Sequence, residues 1–389
     1  MEVKSILIIV PSFKSGGTVS SLINFVSLID KAKFNTKVFA ITNSGPNKKY
    51  VAEHCVIVGE NNNQHGRTVA SVKSFLRAEL MTIAKAVKKM LDKIGIDISP
   101  VLFKRYAKLL DTGEYDYILA FQEGQATLFG SYFNTGTKVA WVRSEYTRFN
   151  KIVGGKYDKC YSKYDKIVSV SKAALSSFLS VLPQYSNNAY VQYNFLNDER
   201  IISMSKEIME DLRDDSVFTI VTLGRIDPVK RVSEIPRLCK ELRDLGFKFK
   251  WIIIGGVAVK EEYALLKDNV DKYQVQESVV ALGNRPNPYP YLKNCDLLVS
   301  LSLSETFNNT LTEAKILGVP VVTTNYPCAF ESIENNKEGL VVSFDNLVQA
   351  IGDMISNKNH IYSMIKDNLL TYHYDKEKLL AQLYLNILN

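Results

Sequence analysis

Two glutamates, Glu305 and Glu313, sit eight residues apart in the stretch 296–323. The stretch reads strand, loop, helix, strand: an apolar run over 296–302, a helical window over 310–317, then Gly318-Val319-Pro320 as a stop before a second β-branched run. A loop that delivers a helix start at the carboxyl end of a parallel strand is a ready anion site, because the first amides of a helix lack internal acceptors. A carboxylate on either side of that site suits hydroxyl groups rather than more phosphate. Phosphate flanked by polyols describes a nucleotide sugar. Upstream, Gly224-Arg225 closes another apolar run, and Lys230 follows five residues after the arginine. Cations at that spacing, opposite a helix start, clamp a diphosphate from two sides; alone, they would equally be surface charges on a solvated turn.

The elements that must hold these residues are legible as two α/β units. Residues 3–10 form a buried-type strand, closed by Pro11-Ser12-Phe13 and then Ser15-Gly16-Gly17-Thr18. Val19, Leu22, Ile23 and Val26 follow at helical spacing, which is the opening of a doubly wound domain. The G-x-G-x-x-G fingerprint is absent, so the nicotinamide fingerprint fails. Further strands are predicted over 38–42, 55–58, 117–121, 138–142 and 166–170. The last three end in Gln122-Glu123-Gly124, Arg143-Ser144-Glu145 and Ser171-Lys172, polar groups that would line one side of a cleft. An acidic, irregular stretch over 197–215 marks the boundary, and the pattern restarts with strands over 218–223, 250–254 and 279–282. Gly283 to Pro288, including Arg285, caps the last of these and offers backbone groups to a flat base. The domains are therefore set at 1–195 and 196–370, with a C-terminal helix over 371–389 that packs back on the first domain.

At 389 residues the chain is too long for one ordinary core and fits two. No apolar run approaches the roughly 20 residues that span a bilayer, and no secretory cleavage pattern follows Lys4, so a cytoplasmic protein is predicted. The five cysteines form no C-x-x-C pair and the four histidines no metal-ligand spacing; buried free thiols are the reading. Net charge is +7, and residues 67–108 hold ten Lys/Arg against three acids, an excess equal to that of the whole chain. Leu76, Leu80, Ile83, Val87, Met90 and Leu91 make a helical stripe there with a cationic opposite face. That face lies either on anionic lipid or in water; interleaved aromatics are sparse, which argues against nucleic acid.

The run from Glu305 to Ala314 followed by Gly318-Val319-Pro320-Val321-Val322 resembles the E-x7-E motif of retaining GT-B glycosyltransferases, closest to the GT4 family in its bacterial surface-polysaccharide form. Leu223-Gly224-Arg225 with Lys230 resembles that family's G-R-x-x-x-x-K turn. Residues 253–256, 281–283, 289–296, Glu331 with Gly339, Gly16-Gly17, residues 167–171 and Tyr193-Asn194 fall where the family has its other landmarks, so the resemblance covers essentially the whole chain. It implies a GT-B fold, two Rossmann-like α/β domains facing across a cleft, with the acceptor on the first and the nucleotide-sugar donor on the second.

The same resemblance implies roles. Glu313 would hydrogen-bond the ribose hydroxyls and Glu305 the hydroxyls of the transferred sugar. The amides of Phe307, Asn308, Asn309, Thr310 and Leu311 would take the distal phosphate, with Arg225 and Lys230 neutralising the departing charge. Gly16 and Gly17 would let the first domain's backbone approach the diphosphate. The chain contains no D-x-D triplet, so metal-independent transfer with no cofactor is expected. Two positions depart from the family. Asn308 stands where relatives carry glycine or proline, and Arg143 stands where they carry a histidine beside the reaction centre. Arginine cannot act as a base near neutral pH. Either Arg143 stabilises charge as part of the catalytic set with Glu305, Arg225 and Lys230, or a same-face mechanism proceeds without a protein base. Glu123 and Glu145 are candidates to contact the acceptor, or to make structural ion pairs. The acceptor implied is a glycan on a polyprenyl diphosphate, and peripheral contact with the inner face of the membrane would bring enzyme to substrate. A catalytically silent GT-B partner subunit that binds glycan or protein and a GT-B nucleotide-sugar epimerase are the rival readings.

Overall fold

The computed structural model describes residues 2–14, 16–58, 99–207 and 216–389. The helix predicted within 67–95, and most of the basic stretch around it, lie outside the described residues. The chain divides into two units, Met1–Val170 with Leu175–Gln192 and Leu380–Asn389, and Ser171–Ala174 with Tyr193–Leu379.

The first unit carries a sheet of seven described strands in the order β3-β2-β1-β4-β5-β6-β7. These are β1 (Lys4–Ser12), β2 (Phe34–Thr42), β3 (Val56–Ile57), β4 (Tyr117–Ala120), β5 (Thr137–Val142), β6 (Lys166–Ser169) and β7 (Ala189–Val191). Every pairing is parallel. A parallel strand buried on both faces reads as a continuous apolar run, and Ile6 to Val10 are all 0% exposed. The last residues of the chain belong to this unit. The Tyr384 ring stacks on Phe34 at 5.4 Å, its hydroxyl accepts from the Asp30 amide at 2.9 Å, and Leu383, Ile387 and Leu388 are buried.

The second unit repeats the same strand order, β10-β9-β8-β11-β12-β13, again all parallel. Its strands are β8 (Phe218–Leu223), β9 (Phe249–Ile254), β10 (Val279–Gly283), β11 (Leu297–Ser300), β12 (Val321–Thr324) and β13 (Gly339–Val342). In both sheets the order reverses after the first strand laid down, so β1/β4 and β8/β11 are topological switch points. Loops leaving the carboxyl ends of two such strands diverge to opposite faces and leave a crevice there. A buried relay ties the second switch point together: Trp251 Nε1 donates to Thr222 Oγ1 at 3.0 Å, and Thr222 Oγ1 donates to the Val299 carbonyl at 2.7 Å, linking β9, β8 and β11.

The stretch expected to be irregular between the units contains a helix, Asp198–Met204. Asn197 caps it by accepting from the Arg200 amide at 3.0 Å, Asp198 and Glu199 complement the helix dipole, and buried Ile201 packs into the second unit's core. The strand Gly339–Val342 was likewise not predicted. Its first residue has room for no side chain, since a Cβ there would lie 2.4 Å from the Val321 carbonyl oxygen.

The loops after β8 and β9 approach more closely still. A Cβ on Gly255 would sit 1.7 Å from the Gly224 carbonyl oxygen, and the two loops are bonded through Gly224 N–H to Ile254 O and Ile226 N–H to Gly256 O. Gly256 faces only Asn284 Cβ at 3.8 Å, an ordinary contact. Gly255→Ala is therefore expected to lower stability by about 2 kcal/mol or more through backbone displacement. Gly256→Ala should stay within about 0.5 kcal/mol of the parent, since it introduces no such clash. Urea unfolding of the two variants side by side checks this, and equal losses would contradict it.

Candidate functional site

At the carboxyl ends of β8 and β11 the sequence brings together residues 75 positions apart. Lys230 Nζ pairs with Glu305 Oε1, with the two side chains only 21% and 16% exposed. Ser302 Oγ donates to the same carboxylate oxygen at 2.9 Å, and Asp227 arranges the cationic turn. Its Oδ1 accepts from the Lys230 amide at 3.0 Å, while its Oδ2 lies 3.3 Å from Arg225 Nη2. Arg225 keeps 64% of its side-chain surface exposed, so its guanidinium remains available for further contacts. Asp227 and Ser302 were not singled out from sequence. The signal for Asp227 was present, an aspartate before proline in a turn, which accepts from amides further along.

The loop that carries Glu305 is pinned on both sides. Thr324 Oγ1, at the end of β12, donates to the Ser302 carbonyl at 2.5 Å, and Cys328 Sγ donates to the Glu305 carbonyl at 3.1 Å. Burial pushes the Cys328 thiol up to about 12, which keeps it protonated and able to donate. The loop ends in the helix Asn309–Ile316, whose N-cap residue Asn308 makes no side-chain capping bond and whose first turn holds no acid. Of the amides expected to face phosphate, that of Leu311 already donates to the Asn308 carbonyl at 3.2 Å. The Phe307 ring leans on Tyr193 at 5.8 Å, and Asn309 Oδ1 accepts from Asn194 Nδ2 at 3.1 Å.

Glu313 lies one turn into that helix and takes a hydrogen bond from Tyr289 Oη at 3.3 Å. Part of the residue reaches solvent, yet packing around the carboxyl raises it from an ordinary 4.5 to about 7, with the Tyr289 hydroxyl opposing the rise. Arg285 is exposed in the turn after β10, whose Gly283 carbonyl accepts from Gly255 N–H at 2.9 Å. Glu331 accepts from the Lys172 and Ala173 amides at 2.7 and 2.9 Å and from Tyr193 Oη at 3.0 Å, a carboxylate placed on a helix start.

In the first unit, Gly16 caps and Gly17 begins the helix Gly17–Leu28 that follows β1. A Cβ at either glycine would meet nothing within 4 Å. Packing therefore does not demand glycine there, although the φ of +154° at Gly16 is one that other residues rarely adopt. Arg143 follows β5, its Nε donating to the Phe121 carbonyl at 2.8 Å and its guanidinium lying over the Phe121 ring at 3.9 Å. Desolvation pulls it down to about 9, with buried Glu123 opposing the shift, so it remains cationic near neutrality. Glu123 also accepts the Arg143 amide at 2.8 Å. Glu145 caps the helix Tyr146–Val153 through the Arg148 amide at 2.8 Å and accepts from Ser177 Oγ. Burial alone would raise the Glu145 carboxyl, but these hydrogen bonds outweigh it and hold the group below the usual carboxylate value. Both glutamates thus hold this unit's own backbone.

Residues 204–368 match the family model described as glycosyl transferases group 1, and this segment is a glycosyltransferase group 1 domain. A relative in Campylobacter jejuni, the N-acetylgalactosamine-N,N'-diacetylbacillosaminyl-diphospho-undecaprenol 4-alpha-N-acetylgalactosaminyltransferase, is 26% identical over 69% of this chain and 68% of its own. The capsular polysaccharide biosynthesis glycosyltransferase CapM of Staphylococcus aureus is 26% identical over 36% of this chain and 38% of its own. Among solved structures, Anabaena Alr3699/HepE in complex with UDP matches 99% of both chains at a TM-score of 0.73 and 17% identity. The fold is that of the GT-B glycosyltransferases.

The raised carboxyl of Glu313 has a measurable consequence. The folded chain holds a proton there that the unfolded chain releases near pH 4.5, so stability is lost as pH rises from 4.5 through 7. Glu313→Gln removes the penalty. Its melting temperature relative to the parent is expected to climb between pH 5 and pH 8; a difference that stays constant across that range would contradict the assignment.

Proposed function

We propose that the chain is a retaining glycosyltransferase that moves a sugar from a nucleotide-diphosphate donor, UDP-linked, to a glycan on a polyprenyl-diphosphate carrier in bacterial surface-polysaccharide synthesis. The observation that carries this reading is the arrangement at the carboxyl ends of β8 and β11. There Lys230 is paired with Glu305 beside a helix start without a side-chain cap, and Glu313 stands one turn inside the helix. Transfer from such a donor expels a nucleoside diphosphate as an anion from an oxocarbenium-like carbon. Lys230 and Arg225 are cations on a turn fixed by Asp227 and by the Gly255 loop, so they meet the departing charge with little reorganisation. Glu305 orients the sugar and Glu313 takes the ribose hydroxyls. The amides from Phe307 to Thr310 receive the distal phosphate, that of Leu311 being taken by the Asn308 carbonyl, and Arg285 and the turn around it lie near the base. In this proposal no metal is needed, because the cations are the protein's own.

Support for a uridine donor comes from the structural relative solved with UDP, and for a lipid-carried glycan from the diphospho-undecaprenol in the Campylobacter relative's name. The proposed division of labour puts the donor on 196–370 and the acceptor on 1–195, with Gly16-Gly17 facing the diphosphate and Arg143 stabilising charge rather than acting as a base. Peripheral binding to the cytoplasmic face of the membrane fits the described end of the basic stretch. The helix Ser99–Leu110 buries Phe103 and Ala107 and exposes Val101, Lys104, Arg105, Lys108 and Leu109. Among the described residues no helix is long and apolar enough to cross a membrane. A silent partner subunit is the second reading, and Arg143 at the position of the family's histidine is the observation that favours it.

Two measurements follow. Glu313→Ala should weaken binding of UDP together with turnover, whereas Glu305→Ala should mainly lower turnover; intact activity in both would remove the pair from the site. Co-sedimentation with liposomes should require anionic lipid and fall with salt, as surface charges are screened within about 10 Å at 0.1 M. Equal binding to neutral vesicles at high salt would sink the electrostatic account.

A further inference from the structure

Asparagine is among the best residues at a helix N-cap because its side-chain oxygen accepts from the second or third amide of the helix. Asn308 occupies that position before Asn309–Ile316, with the extended backbone of a cap (φ −97°, ψ 93°), and does not cap. Its side chain turns inward instead. The residue is 4% exposed, and Nδ2 donates to Ser300 Oγ at 3.2 Å and to Tyr326 Oη at 3.1 Å. Ser300 ends β11, and Tyr326 follows β12 and takes a further hydrogen bond from Thr323 Oγ1 at 3.4 Å. The neighbouring Asn309 side chain is turned away too, onto Asn194. Two side chains able to occupy the helix start are thus held off it.

We propose that Asn308 is a positioning residue for the donor diphosphate. By anchoring its amide to Ser300 and Tyr326 it keeps the helix start without a side-chain acceptor and fixes the loop that ends there, so that phosphate oxygens are the acceptors those amides meet. This rests on the donor-site reading above and sharpens it. Asn308 bonds to Ser300 and Tyr326 whereas Glu313, which takes the nucleoside end in that reading, bonds to Tyr289, so substitution of Asn308 is expected to act on the phosphate end.

The test is titration calorimetry of UDP and of uridine into the full chain, as wild type, Asn308→Ser, Asn308→Gly and Tyr326→Phe. Serine is a strong cap too short to reach both anchors, and it should weaken UDP roughly tenfold while leaving uridine unchanged, as expected when a side chain competes for the same amides. Glycine leaves the amides open and should cost UDP only a few-fold. Tyr326→Phe removes one anchor without touching the helix and should weaken UDP but not uridine, which keeps the inference testable if Asn308→Ser folds poorly. UDP binding within twofold of wild type in both Asn308→Ser and Tyr326→Phe, or parallel losses for UDP and uridine, would overturn the inference while leaving the donor site standing. Failure of the wild-type chain to bind UDP at all would overturn the donor reading and this inference with it.

Discussion

The pairing of Lys230 with Glu305 is the interaction on which the second unit's site depends. Each charge comes from a loop at the carboxyl end of a different strand, and the two loops meet only because β8 and β11 are neighbours at the switch point. Two charges about four-fifths withdrawn from water would be costly apart, since losing either leaves the other desolvated without its partner. The surrounding groups reduce that cost. Ser302 donates to the carboxylate, Asp227 shapes the turn behind the lysine, and Gly255 permits the two loops to touch. Arrangements of fixed charge at a strand edge suit chemistry in which negative charge develops suddenly, because the stabilising groups are already in place.

Much of this was legible in the sequence, for physical reasons that differ by element. Parallel strands are buried on both faces, so 218–223 and the run ending at Ser302 stand out as largely apolar stretches broken only by threonine, serine and one aspartate, within two residues of the observed ends. The E-x7-E spacing and the G-R-x-x-x-x-K turn located the charges in order along the chain. The contacts between them were not legible. Nothing in one chain says that Asp227 will hold the Lys230 amide or that Tyr289 will reach Glu313 across 24 residues. The helix Asp198–Met204 was missed although its signals were local: a capping asparagine, two acids in the first turn and a buried isoleucine. Its acidic composition reads as a linker, and a single capping residue is a weak signal against that.

The first unit shows a different relation between residue type and task. Glu123 and Glu145 stand at strand ends and would suit an acceptor hydroxyl, yet each carboxylate already accepts backbone amides of its own unit. Arg143 lies over Phe121 with its Nε bonded to that residue's carbonyl, a geometry that fixes a cation rather than frees a base. In the proposed enzyme Arg143 is a fixed positive charge of the first unit, since it stays cationic near neutrality.

The central claim is that this chain uses a nucleotide-diphosphate sugar. It is tested most directly by incubating the full chain with a panel of nucleotide sugars while following nucleoside diphosphate release, with thermal shift on the same panel. The expected result is stabilisation by one donor and its nucleotide, with slow release of the diphosphate from that donor and loss of the release in Lys230→Met. No stabilisation and no release with any member of the panel would contradict the account.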